Sequence, residues 1–177
     1  MQEKVIVVAT DFEYEQACKY TKLKVIKTGI ATSNVIEALK DLDKSISIIN
    51  VGLAGSNSLP VGSIVKVKNS YLYHPNVEIK GKQYVLNGET DCYTSHDFVL
   101  QTPIKEPVVF DMELNAICAF GFEVESYKIV SDNLSLTQYE KVEAQKVDLT
   151  QCFKKVFEII EEQKWKNKII QKSMNKL

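Results

Sequence analysis

Three acidic side chains, Glu13, Glu113 and Asp132, each stand just past a run of apolar residues. Val5 to Ala9 precedes Glu13, Val108 to Phe110 precedes Asp111-Met112-Glu113, and Val124 to Val130 runs into Ser131-Asp132-Asn133. Runs of this length rich in β-branched residues read as strands, and in open α/β sheets ligands bind beyond the carboxyl ends of strands. Carboxylates gathered there suit general acid–base chemistry, provided their surroundings set opposite protonation states. Each also has a plainer role. Glu113 reads as a first-turn acid favoured by the helix dipole, Asp132 as an N-cap for the segment from Leu134, and Glu13 as a solvated helix acid. His96, in a polar stretch, reads as a surface residue.

A second candidate is the loop Gly52-Leu53-Ala54-Gly55-Ser56, whose backbone amides allow close approach to a small ligand. It lacks the Gly-Lys-Ser/Thr ending of a P-loop and leads to Pro60 and a strand, so neither that motif nor the dinucleotide fingerprint applies. A plain turn is the competing reading.

The elements that must position these residues follow from the apolar pattern. Val5 to Ala9 predicts a strand buried on both faces, followed by a short helix through Ala17; Lys24 to Thr28 predicts a second strand. Gly29 to Ser33 reads as a turn capped by Thr32 or Ser33 into a helix with Val35, Ile36 and Leu39 on one face. Ser45 to Val51 and Ser63 to Val67 are further strands, Val77 to Leu86 a hairpin turning at Gly81, and Asn87 to Phe98 a strand and loop around Tyr93 and Phe98. Asp111-Met112-Glu113 opens a helical segment. From Asp148, Leu149, Cys152, Phe153, Val156, Ile159 and Ile160 recur at helical spacing, and the charged end from Gln163 is expected to fray. Strands alternating with helices imply a mostly parallel sheet covered on both faces.

The 177 residues, 45% hydrophobic, suit one domain spanning 1–177 with a sizeable core. Lys and acidic residues nearly balance at net charge -1, with no basic tract interleaved with aromatics, so nucleic acid is not an expected partner. Four scattered cysteines and two histidines give no spacing for a metal site or disulfide framework. The N-terminal apolar run is too short for a signal-peptide core or membrane span, which points to a cytoplasmic protein without a membrane partner. All 22 basic residues are Lys; there is no Arg.

The segments VIVVATDFEYE, TGIATSNVIEAL, IINVGLAGSNSLPVGSIVKV, SHDFV, VFDMELNAICAF and KIVSDN occur in one order over most of residues 4 to 133. That order resembles the nucleoside phosphorylase/nucleosidase superfamily, and within it the methylthioadenosine/S-adenosylhomocysteine nucleosidases and futalosine hydrolases. The resemblance implies a three-layer α/β/α fold with a mostly parallel mixed central sheet, and cleavage of a purine N-glycosidic bond without cofactor or metal. By the same resemblance Glu113 grips the ribose 2′ and 3′ hydroxyls with Met112 beneath the sugar. Asp132, following Ser131, engages N7 of the leaving purine. Glu13, or Glu15 in a neighbouring register, activates water. Phe98 stacks on the base, Val99 supplies backbone contacts, and Ala54 and Gly55 line the pocket. The chain is shorter than its look-alikes, chiefly between Glu13 and Gly29 and around Lys80 to Cys92. Relatives assemble as dimers or larger oligomers, which makes a homodimer the expectation and Leu86 to Phe98 the candidate contact.

Phosphorylases of this superfamily hold phosphate with arginines, whose planar fork Lys does not reproduce. Without Arg, water is the expected nucleophile and a purine nucleosidase the expected enzyme. Two alternatives remain open: a phosphate-dependent phosphorylase, and a catalytically weak nucleoside-binding protein.

Overall fold

In the computed structural model, which describes residues 2–74 and 82–175, the opening apolar run forms β1 (Lys4–Val8). Its side chains alternate between two cores. Ile6 and Val8 face a cluster containing Phe12, Phe153, Val156 and Phe157, whereas Val5 and Val7 face Val35, Leu39 and Ile117. Period-2 alternation with both sets apolar is what a central strand covered on both faces requires. The covering helices are α1 (Asp11–Tyr20) and α5 (Thr150–Met174) on one side, and α2 (Thr32–Leu39) and α3 (Leu114–Ala119) on the other. This is the three-layer α/β/α arrangement.

β2 (Lys24–Lys27) pairs parallel with β1 at the sheet edge, and β1 pairs parallel with β3 (Ser47–Ser56). β3 continues through Gly52-Leu53-Ala54-Gly55-Ser56, so the stretch read as a loop is strand, hydrogen-bonded along its length to β8 (Glu123–Asp132). The glycines misled because they usually weaken strands; here they answer to close approach, described below. β4 (Ile64–Leu72) pairs antiparallel with β8 and with β5 (Gln83–Val85), and parallel with β6 (Thr90–Thr94). β6 in turn pairs with β7 (Val109–Asp111), which returns antiparallel to β3. The strands β3, β8, β4, β6 and β7 therefore close into a ring, filled by Ala54, Val65, Val67, Val109, Leu114 and Val130.

Several local expectations change. Half of the hairpin at Val77 to Leu86, including its turn at Gly81, lies outside the described residues, and β5 falls in the described half. Asp111 ends β7 instead of opening a helix, and α3 starts at Leu114. The cap of α2 is Ala31, with no side-chain hydrogen bond, in place of Thr32 or Ser33, and Ile36 is half exposed. The segment read from Leu134 as capped by Asp132 is α4 (Leu136–Glu143); its N-cap is Ser135, whose hydroxyl accepts from the Gln138 amide, not Asp132. α5 stays helical to Met174 instead of fraying at Gln163.

Candidate active site

A pocket opens where β1, β3, β7 and β8 end, closed at its sides by Ile30, the segment from Asp97 to Val99, and Tyr139 of α4. The strand ends bring Glu13, Glu113 and Asp132 to one cavity, along with Ala54, Gly55, Phe98, Val99, Met112 and Ser131. Glu15 is exposed and outside it, so Glu13 is the acid the pocket receives.

Glu13 lies at the floor, in the first turn of α1. Thr10 and Glu13 form a reciprocal cap: the Glu13 amide donates to Thr10 Oγ1 (3.2 Å), and Glu13 Oε2 accepts from the Thr10 amide (3.1 Å). The same carboxylate reaches inward, accepting from the Leu53 amide at Oε1 (2.8 Å) and from the Ala9 amide at Oε2 (2.7 Å). Burial pushes its pKa up, while these amides and the Lys128 ammonium pull the other way. A Cβ on Gly52 would sit 3.1 Å from Glu13 Oε1, so glycine at that point of β3 makes room for the carboxylate.

Glu113 bridges two elements. Its Oε1 accepts from the Ala31 amide (3.2 Å) and its Oε2 from the Met112 amide (3.3 Å). Ala31 holds φ 78° and ψ 158°, a region that costs a residue with a Cβ of order 1–3 kcal/mol. Burial first, and then the neighbouring Asp111 carboxylate, push Glu113 up to about 8 against the pull of Lys128.

Asp132 forms the wall at the end of β8. Its Oδ2 accepts from the Ser131 hydroxyl (2.7 Å) and its Oδ1 from the Ser135 amide (3.2 Å). Burial raises its pKa, opposed by Ser131 and the amides of Ser135 and Leu134. A Cβ on Gly55 would fall 2.9 Å from Asp132 Oδ1, closer than real contacts allow. The two glycines of the Gly-Leu-Ala-Gly stretch thus each admit one carboxylate. Phe98 and Tyr139, which both line the pocket, have ring centroids 5.7 Å apart with their planes tilted by 55°.

The charge that organises the floor went unread in the sequence. Lys128 of β8 is buried, and its Nζ donates to Asp111 Oδ2 at 2.8 Å. Asp111 Oδ2 also accepts from the Leu114 amide (2.9 Å) and Oδ1 from Thr94 Oγ1 (2.5 Å), leaving the pair well satisfied. Burial would drive the Lys128 ammonium pKa down, but Asp111 outweighs it and the net direction is up, so Lys128 stays charged. The available signal was a lysine at a ring-facing position inside the otherwise apolar Tyr127-Lys128-Ile129-Val130. Among the described residues, no group of three or more His, Cys, Asp or Glu side chains is placed to hold a metal ion, and His96 is exposed outside the pocket. No helix among them is long and apolar enough to cross a membrane.

The chain matches no protein-family profile and no curated protein sequence. Solved structures do resemble it. The MTAN of Chlamydia trachomatis bound to MTA is 14% identical and superposes with TM-score 0.73 over 92% of this chain and 99% of that one. The 5′-methylthioadenosine/S-adenosylhomocysteine nucleosidase of Helicobacter pylori, with butyl-thio-DADMe-Immucillin-A, is 12% identical with TM-score 0.68 over 92% and 97%. The futalosine hydrolase of Helicobacter pylori is 12% identical with TM-score 0.66 over 91% and 97%. The chain has the fold of these nucleosidases.

Proposed function

We propose that this protein hydrolyses the N-glycosidic bond of a purine nucleoside of the methylthioadenosine or adenosylhomocysteine type, releasing free base and sugar. The observation that carries the reading is the convergence of Glu13, Glu113 and Asp132 in one pocket with environments that differ. Similarity of fold to proteins seen with MTA and with adenine supports the substrate class.

The chemistry assigns each group a task. Cleavage passes through a ribosyl cation while negative charge accumulates on the purine, so a donor at N7 lowers the barrier. Asp132, its pKa raised by burial, holds the proton for that site. Glu13 takes a proton from water: three backbone amides favour its ionised form, and burial makes that form a stronger base. Glu113 accepts from the ribose hydroxyls in place of the Ala31 amide, Met112 packs beneath the sugar, and Phe98 stacks on the base. Water is the nucleophile in this reading because no Arg exists to clamp phosphate and Lys128 is committed to Asp111.

One observation favours a binding protein without turnover: all three backbone bonds to Glu13 also serve to anchor α1 and β3. Chromatographic assay of free base from methylthioadenosine, adenosylhomocysteine, adenosine, inosine and futalosine, with and without phosphate, separates the readings. Phosphate-independent release that disappears in Asp132→Asn and Glu13→Gln is expected. Release only with phosphate identifies a phosphorylase, and tight binding without release identifies the binding protein.

A further inference from the structure

The chain has two histidines, His74 and His96, and the fold brings them together. His74 follows the end of β4 and His96 the end of β6, two strands that pair parallel with Leu72 beside Thr94. The Tyr73 amide donates to the Thr94 carbonyl (2.8 Å), which carries the same register past the strand ends and sets the two imidazoles side by side. Their ring centroids are 5.9 Å apart, the planes are tilted by 39°, and both residues are exposed.

The residue before each imidazole is anchored. Tyr73 packs edge-on against Tyr93 and Phe110, with ring centroids 5.6 and 5.3 Å away, and its hydroxyl shares a hydrogen bond of 2.9 Å with Thr102 Oγ1. Ser95 is buried; its amide donates to the Asp111 carbonyl (2.9 Å) and its Oγ accepts from the Asp97 amide (3.3 Å). The two rings therefore leave fixed backbone points, which lowers the ordering cost of any ligand that needs both.

A neutral imidazole presents a nitrogen lone pair that suits zinc, nickel and copper, whereas magnesium and calcium favour oxygen. Zinc–nitrogen bonds of about 2.0–2.1 Å at tetrahedral angles put two coordinated ring centres roughly 5 Å apart. The observed separation lies within about an ångström of that, a difference that rotation of exposed side chains closes. Among the described residues no third His, Cys, Asp or Glu joins the pair, so water would complete the coordination.

We infer that His74 and His96 form a two-imidazole site for a borderline divalent transition ion such as zinc or nickel, which fastens the end of β4 to the segment that closes the pocket. His96 directly precedes Asp97, Phe98 and Val99, so a bound ion restrains the backbone on which those three residues sit. The site lies outside the pocket, and the coordination stands whether or not the chain hydrolyses nucleosides.

Calorimetric titration of zinc chloride, and separately nickel chloride, into the full chain tests this. A Cys18→Ser/Cys152→Ser background removes the two thiols that are not buried and would take the same ions. One ion per chain is expected, with no heat from magnesium or calcium. Once the first imidazole is bound the second acts intramolecularly, so His74→Gln and His96→Gln should each weaken binding by about 10²-fold. Zinc should also slow amide hydrogen exchange at Asp97 to Val99, and fail to do so in His74→Gln although His96 is intact. Both histidines are exposed, and circular dichroism confirms that the variants are folded. Overturning results are no binding, binding unchanged in either variant, loss of half the sites at unchanged affinity as two independent imidazoles would give, competition by calcium, or exchange at Asp97 to Val99 that zinc leaves unaltered.

Discussion

The floor and the wall of the pocket hold carboxylates by different means. On the floor, Asp111, Glu113 and Glu13 arrive from three elements and share one buried cation, Lys128. On the wall, Asp132 pairs with no cation among the described residues; a hydroxyl and backbone amides satisfy it. The floor is therefore a coupled unit in which removing one charge changes the others, whereas the wall is a single group whose loss stays local. Removing a floor charge should therefore cost stability as well as activity, whereas removing the wall carboxylate should cost activity alone.

The largest expected effect comes from uncoupling the floor. Lys128→Met leaves Asp111 buried beside two further carboxylates without a counter-charge, and should cost about 3–5 kcal/mol in urea denaturation. Asp111→Asn in the same chain should recover much of that loss, because the stranded charge is gone. Equal losses in single and double variants would break the contrast with the wall.

At the wall the effect should be kinetic. Asp132→Asn is expected to lower kcat/KM for nucleoside cleavage by about 10²- to 10⁴-fold, with a urea midpoint within error of wild type or slightly higher. Gly55→Ala tests the same group by geometry. Its Cβ would stand 2.9 Å from Oδ1 and must displace the carboxylate, which at misplacements near an ångström costs on the order of 10²-fold. A destabilisation by Asp132→Asn as large as that of Lys128→Met would show that the wall is coupled as well.

What was legible in the sequence cuts across this division. Asp132, Glu113 and Glu13 could be singled out because each follows an apolar strand, and their arrival in one pocket follows from the parallel β1 and β8 ending on one side of the sheet, with the short antiparallel β7 ending against β3. The motif order carried the fold. The ion pair at the heart of the floor was not legible, because Asp111 sits one residue beyond an apolar run, where helix starts are common, and Lys128 gives no periodic signal within its strand. The role of Gly52 and Gly55 was half visible: close approach was expected, but of a ligand instead of two carboxylates. The start and extent of α4 were obscured by its weakly apolar sequence, in which Val142 is the buried residue.

A smaller effect follows from the proton on the floor. Glu113 has its pKa raised from 4.5 to about 8, so between those values the folded chain retains a proton that the unfolded chain has released. The sign is that of stability lost with rising pH. The contribution is fully present below about pH 4.5 and declines as pH rises toward 8, where it levels off. Glu113→Gln removes this titration, so its denaturation midpoint should fall less steeply than that of wild type across this window. Parallel slopes would mean that Glu13, whose pKa burial also raises, holds the proton instead, which sharpens the view of the floor as one coupled set.

The smallest effect concerns the backbone that holds Glu113. Ala31 donates its amide to Glu113 Oε1 from a conformation with φ 78°, which glycine adopts freely and alanine does not. Ala31→Gly keeps the N–H and relieves the strain, but it also adds freedom to the unfolded chain, which offsets part of the gain. The net expectation is a stabilisation of about 1 kcal/mol by urea denaturation. Because the amide is retained, the pH slope assigned to Glu113 should persist in this variant. If Ala31→Gly stabilises the fold yet raises KM for the nucleoside, the strained alanine holds Glu113 in place for the sugar at a cost to stability. If it stabilises with KM unchanged, the carboxylate is placed by Met112 and α3 alone, and the strain belongs to the turn into α2.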